Sequence, residues 1–207
     1  MRREKTFGVV LAGGKSSRMA GDDKRLLAVA GKSLVQAAAE KLVSVCDRVV
    51  VVTDGRDVDL GLPDFITVKG DVTPGLGPMV GILTGLAHFV TDGVIVLACD
   101  MPFVPPELVA YVRDVRQGHD IVVPRRDGRL EPLLGFYGPA CTPLLRDRVR
   151  CRNLSVGCFI RECGLAVRYV EKEEISRFGD PGTILHNVNT PGQLAVARRI
   201  ARPGQEE

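Results

Sequence analysis

The chain has 207 residues, a formal net charge of +3, 45% hydrophobic residues and only 5% aromatic ones. An apolar content carried by Val, Leu, Ile and Ala at this length suits a single globular α/β domain that needs no disulfide or metal staple. The charge is too small to draw nucleic acid by bulk electrostatics, and no apolar run reaches the ~18–20 residues of a membrane span.

The basic start, Met1-Arg2-Arg3-Glu4-Lys5, leads into an apolar stretch that breaks at Gly13-Gly14, a poor signal sequence, so a cytoplasmic location is expected. Val9 to Ala12 is a continuous apolar run, the pattern of a strand buried on both faces. Gly13 and Gly14 end it, and glycine admits a ligand to the main chain without a Cβ in the way. Lys15, Ser16, Ser17, Arg18 and Lys24 follow, fixed charges and hydroxyls suited to a polyphosphate. The turn is not a Walker A loop, whose first glycine would fall on Val9; Gly31-Lys32-Ser33 fails likewise at Leu26, and no G-x-G-x-x-G follows a strand. A strand-to-helix turn with solvated charges is the plainer alternative.

Ser33 is placed to cap a helix over Leu34–Val45, whose apolar face is Leu34, Val35, Ala38, Leu42 and Val45. Val49–Val52 and Phe65–Val68 read as strands, closed by Thr53-Asp54-Gly55 and Lys69-Gly70-Asp71. Strands alternating with helices at this spacing predict a mostly parallel sheet, with ligands beyond the carboxyl ends of its strands. Gly13-Gly14, Thr53-Asp54 and Asp71 share that edge. Pro78 opens a helix to about Phe89, in which Gly81 and Gly85 point either to close ligand approach or to tight packing.

Val94–Ala98 is a further buried strand, followed by Cys99-Asp100-Met101-Pro102. Asp100 is either a turn former or a hard oxygen ligand able to hold Mg²⁺ against phosphates. Beyond it come a helix from Pro106 toward Gln117, a strand Ile121–Val123 and a charged turn, Pro124 to Arg129, that is a solvated hairpin or a clamp for a second substrate. Glu131–Tyr137 reads as a returning strand, Pro139–Arg148 and Ser155–Cys163 as helices, and Leu165–Val170 as a late strand. Arg146, Arg148, Arg150 and Arg152 suit an anionic partner or a solvent-facing helix end, and Glu171, Glu173 and Glu174 read as solvated surface. Asn187-Val188-Asn189-Thr190-Pro191 then starts a final helix through Ile200, and residues 202–207 read as a frayed tail. The six cysteines contain no C-x-x-C pair; Cys151, Cys158 and Cys163 cluster loosely, and reduced thiols are expected.

Four of these segments, in order, resemble the sugar-phosphate-type nucleotidyltransferases and, among them, the molybdenum cofactor guanylyltransferases. They are Leu11-Ala12-Gly13-Gly14 with Arg18-Met19 and Asp23-Lys24; Gly77-Pro78-Met79-Val80-Gly81; Cys99-Asp100-Met101-Pro102; and Asn187-Val188-Asn189-Thr190-Pro191. The sequence departs from the family pattern at Ala20, where a glycine is usual, and lacks an asparagine at the end of the second strand.

The resemblance implies a single three-layer α/β/α domain over 1–207, with a Rossmann-like sheet, a nucleotide half at about 7–110 and an acceptor half at about 111–200. It implies GMP transfer from GTP to the terminal phosphate of molybdopterin carrying molybdenum, with release of pyrophosphate. GTP would be held by Leu11, Ala12, Gly13, Gly14, Lys24, Asp71 and Asp100. Arg18, Lys24 and Asp100 would be catalytic, Asp100 would carry Mg²⁺, and Asn187 and Asn189 would lie on the acceptor side. A carboxylate accepts from both N1–H and the 2-amino group of guanine, which gives Asp71 a chemical reason to select that base. Proteins that deliver or insert the cofactor are implied partners, and the oligomer is at most weak. Rival readings of the same residues are a cytidylyltransferase, a phospholactate guanylyltransferase or a non-catalytic nucleotide-binding protein.

Overall fold

A computed structural model describes residues 5–13, 23–55, 59–73, 75–89 and 92–201. Gly14, Lys15 and Arg18 therefore lie outside the described residues, as does the tail from 202. The strands are β1 (Phe7–Ala12), β2 (Ala28–Val29), β3 (Lys32–Ser33), β4 (Arg48–Thr53), β5 (Thr67–Gly70), β6 (Val94–Ala98), β7 (Ile121–Arg126), β8 (Arg129–Leu130), β9 (Leu134–Tyr137) and β10 (Val167–Val170). The helices are α1 (Leu34–Val45), α2 (Pro78–His88), α3 (Pro106–Asp114), α4 (Cys141–Arg150), α5 (Val156–Glu162), α6 (Lys172–Ile175), α7 (Pro181–Ile184) and α8 (Pro191–Ile200).

The main sheet runs β10-β7-β9-β6-β1-β4-β5, with β8 attached to β7. Its pairs are parallel except where β9 reverses between β6 and β7 and where β7 turns back into β8. The continuous apolar strands are explained by two cores, one on each face. Val10, Ala12, Val51, Ile95 and Leu97 point to the layer of α1 and α3. Val9, Leu11, Val50, Val52, Val94 and Val96 point to the layer of α2, α4 and α5. A third cluster joins Val29, Leu34, Val188, Leu194 and Ala197, so α8 and the loop before it pack on the start of α1. The chain leaves β1 toward β4 and β5, then returns to β6 on β1's other side. That reversal puts a switch point between β1 and β6, on the carboxyl edge where the ligand crevices of open α/β sheets lie.

α1 spans the predicted residues, and Ser33 forms a capping box with Gln36. The third strand lies at Thr67–Gly70 rather than Phe65–Val68. It is an edge strand with β4 on one side only, so it need not bury its apolar residues, and Phe65 is left 72% exposed in a turn. α3 stops at Asp114, short of Gln117, and α4 begins at Cys141 rather than Pro139. The charged turn after β7 is a hairpin, with Arg125 opposite Leu130 and Arg126 opposite Arg129.

The acidic run is not simply solvated surface, as expected from sequence. Glu171 forms a capping box with Glu174 at α6 and pairs with Arg125; Glu174 accepts from Arg168 and from the Tyr111 hydroxyl. In the arginine-rich stretch, Arg148 pairs with Glu162 and Arg150 with Asp147, and both guanidiniums lie at a helix end. Thr190 caps α8 by accepting from the Gln193 N–H.

The glycines of α2 let the helix lie against β1. A Cβ on Gly85 would fall 2.4 Å from Val9 Cγ2, and one on Gly81 would fall 2.6 Å from Leu11 Cδ2. Val9 is fully buried and has no room to retreat. Gly85→Ala is therefore expected to lower stability by about 1–3 kcal/mol through overpacking, read as a lower urea midpoint with the m-value unchanged.

Candidate active site

The crevice edge is built from the ends of four strands. Gly13 follows β1, Thr53 and Asp54 close β4, Asp71 follows β5, and Cys99-Asp100 follow β6. Two main-chain bonds lock these ends together: Asp71 N–H donates to the Thr53 carbonyl (2.8 Å) and Cys99 N–H to the Leu11 carbonyl (3.1 Å). Leu11 and Ala12 are inside the ladder itself, paired with Val52 and Thr53, and the Leu11 side chain packs on α2. Gly13 is the first residue of that motif to stand clear of the sheet.

A cavity of about 340 Å³ opens there, lined by Gly13, Val52, Asp54, Asp71, Gly75, Gly77, Pro78 and Gly81. A Cβ on Gly13 would stand 3.5 Å from the Asp54 nitrogen and 3.6 Å from Asp71 Oδ2, so glycine keeps this wall low. Gly77 has φ +82°, a left-handed conformation that glycine adopts without strain, and it turns the chain into Pro78 at the head of α2. Asp71 is pushed up to about 6, first by burial and then by the nearby charge of Asp54, with the Thr84 hydroxyl opposing the shift. Its Oδ1 is buried and has no hydrogen-bond partner among the described residues. A buried acceptor of this kind is costly unless a donor meets it, and the cavity is where one would enter.

On the other side of Gly13 the cationic part assembles. Lys24 Nζ stands 2.7 Å from Asp100 Oδ2 and 2.6 Å from Asn189 Oδ1. The Val188 N–H donates to the Asp100 carbonyl (2.8 Å), which fastens the asparagine loop to the β6 turn. Asn187 faces differently: its amide donates to the Leu185 carbonyl (3.2 Å) and bonds the Glu131 carboxylate. The structure thus brings Lys24, Asp100 and Asn189 together, sets Asn187 one layer away against Glu131, and puts Asp71 in the cavity.

Two site residues, Arg25 and Glu131, are not singled out from sequence. Asp23 and Arg25 flank Lys24 and form a forked pair, Nε to Oδ1 at 2.9 Å and Nη2 to Oδ2 at 2.6 Å. Arg25 is only 3% exposed, and its Nη1 lies 3.5 Å from Asp54 Oδ1. It therefore ties the single 3-10 turn that carries Lys24 to the end of β4. Glu131 is half-buried between Asn187, Arg126 and Asp100; burial pushes its carboxyl up. Nothing beyond its place before Pro132 could have marked it.

The donors fit a divalent cation of the magnesium type. Such an ion takes one or two protein oxygens and fills its shell with water and phosphate. Asp100 Oδ1 is buried without a hydrogen-bond partner among the described residues, and Asn189 supplies a carboxamide oxygen beside it. No group of three His, Cys, Asp or Glu side chains that would cage a metal occurs among the described residues. The cysteines stand apart from the site, except that Cys99 precedes Asp100; burial pushes the Cys46, Cys99 and Cys141 thiols up to about 12.

An open α/β sheet with a glycine turn, a nucleotide-sized crevice and a lysine–aspartate pair at its switch point defines an α/β nucleotidyltransferase. The chain belongs to the MobA-like NTP transferase domain family, which it matches over residues 8–161. It is 34% identical to a probable molybdenum cofactor guanylyltransferase of Pelotomaculum thermopropionicum, over 94% of this chain and 92% of that one. A second relative so described, from Natronomonas pharaonis, is 39% identical over 64% of this chain and 67% of its own length. Among solved structures, molybdopterin-guanine dinucleotide biosynthesis protein A from Archaeoglobus fulgidus superimposes with a TM-score of 0.79 at 28% identity, covering 94% of this chain and 98% of that one.

Proposed function

We infer that the chain transfers GMP from GTP to the terminal phosphate of molybdopterin carrying molybdenum, releasing pyrophosphate and forming the guanine dinucleotide form of the cofactor. The observation that carries this reading is the convergence of Lys24, Asp100 and Asn189 next to the Gly13–Asp71 cavity, at 2.6–2.7 Å around one ammonium. The base and ribose would occupy the cavity and the triphosphate would cross Gly13.

The acceptor phosphate is already an anion, so the reaction strictly needs no general base. Its difficulty is bringing two polyanions together and stabilising charge on the α-phosphate and leaving group. Lys24 supplies positive charge at the phosphates, and Gly13 lets them reach the main chain. Magnesium is the cation the oxygen donors suit, with Asp100 as its carboxylate; when bound it would neutralise phosphate charge as a Lewis acid. Glu131 and Asn187 flank the side from which the acceptor would approach.

Asp71 gives the reading a pH signature. Its pKa is raised, to about 6, so in the ligand-free protein it contributes stability that is fully present below the ordinary carboxylate value and lost as pH rises through about 6. Guanine N–H donors would favour the ionised form and pull that value down. GTP affinity is thus expected to weaken by up to about tenfold per pH unit below 6. Asp71→Asn should flatten that profile. An unchanged slope in the variant would remove Asp71 from base recognition.

The direct test is thermal stabilisation by GTP, CTP, ATP and UTP, each with and without Mg²⁺. A ligand that binds only the native state raises the melting temperature by mass action. A magnesium-dependent shift selective for GTP is expected. A CTP-selective shift would move the assignment to a cytidylyltransferase, and no shift with any nucleotide would overturn the site.

A further inference from the structure

We propose that the Lys24 ammonium and the divalent cation are alternative occupants of one oxygen site. The metal would then be admitted only as Lys24 moves onto the triphosphate. This rests on the reading above that metal and triphosphate meet at Asp100.

Asp100 Oδ2 and Asn189 Oδ1 converge on Lys24 Nζ at 2.7 and 2.6 Å. A charged carboxylate and a neutral carboxamide oxygen are hard donors, the kind a magnesium-type ion takes at about 2.0–2.1 Å. An ammonium and a dication cannot both occupy the point on which these two atoms converge, because the cations would repel at contact distance. A second observation favours exchange over permanent occupancy by the lysine: Asp100 Oδ1 is buried and has no hydrogen-bond partner among the described residues. The ammonium engages one carboxylate oxygen, whereas a cation in its place has the other within reach.

The fold fixes which partner moves. The Asp100 main chain is held by the Val188 N–H, Val188 is fully buried against α8 and Leu34, and the Asn189 N–H is held by Gln193 Oε1 at 2.8 Å. Both oxygen donors thus sit on anchored backbone. Lys24 is on a single 3-10 turn, its side chain is 18% exposed, and its four-carbon stem is flexible. While it stays in place the lysine keeps the donors converged and compensates the charge of Asp100. The protein alone should bind divalent cations poorly, and the metal should enter in company with the nucleotide.

The experiment is a Mn²⁺ titration followed by electron paramagnetic resonance, with no nucleotide present. It compares the wild type, Lys24→Met and the double variant Lys24→Met/Asp100→Asn. Lys24→Met is expected to bind Mn²⁺ at least about tenfold more tightly than the wild type, with the gain lost in the double variant. Equal or weaker binding in Lys24→Met, a gain that survives the double substitution, or no measurable binding to either protein would each overturn the proposal. Circular dichroism verifies folding, and Lys24→Gln replaces the methionine variant if that does not fold. Since nucleotide is absent, failure of the guanylyltransferase reading would appear in the nucleotide-shift assay and leave this comparison intact.

Discussion

Asp100→Ala is expected to lower kcat by about three orders of magnitude while the melting temperature stays close to that of the wild type. The side chain is 14% exposed and its role in the fold is small: the bond that fastens the β6 turn to the asparagine loop uses the Asp100 main chain, which alanine keeps. Lys24 loses one partner but retains Asn189 and some access to water. What disappears is the carboxylate that meets the lysine at 2.7 Å, and with it the proposed seat of the metal. Pyrophosphate release measured across a magnesium series is the check. A variant with near-normal kcat and unaltered metal dependence would sink the assignment of Asp100.

Arg25→Met should act in the opposite way, on stability first. Removing a buried guanidinium takes the fork partner from Asp23 and a cation at 3.5 Å from Asp54, and breaking a buried pair from one side costs about 3–5 kcal/mol. The two acids are partly exposed, with side chains 17% and 19% accessible, so the low end of that range is expected. Methionine fills much of the volume, so the loss reports charge rather than a cavity. Chemical denaturation would show the lower midpoint. Under conditions where the variant is folded, GTP binding should also weaken, because the turn bearing Lys24 is no longer tied to β4. A midpoint unchanged from wild type would mean that the fork is ornamental.

Much of this architecture is legible in the sequence for identifiable reasons. α1 declares both ends, through Ser33 with Gln36 at one and the loss of apolar periodicity at the other. The runs Val9–Ala12, Val49–Val52 and Val94–Ala98 are unbroken because both faces are covered, and so they stand out. The edge strand does not, since Val68 is 48% exposed and pattern ceases to mark position.

In the site, Lys24, Asp71, Asp100 and Asn189 lie in motifs that can be read in chain order. The tie of Arg25 to Asp54 and that of Glu131 to Asn187 cannot, because these partners lie far away along the chain. The same holds for Glu171 and Glu174: an acid-rich stretch looks solvated until Arg125, Arg168 and Tyr111 fold over these two. The short helices α6 and α7 carry too few residues to show a period.

The bond between the Val188 N–H and the Asp100 carbonyl sets an order of events during synthesis. The last strand of the sheet ends at Val170, and every residue of the nucleotide cavity precedes it. Asn189 comes later, together with Gln193 of α8, which anchors it. The residues of the sheet therefore leave the ribosome before the loop that finishes the site. The last piece of the candidate site thus docks onto a frame whose residues were all made before it.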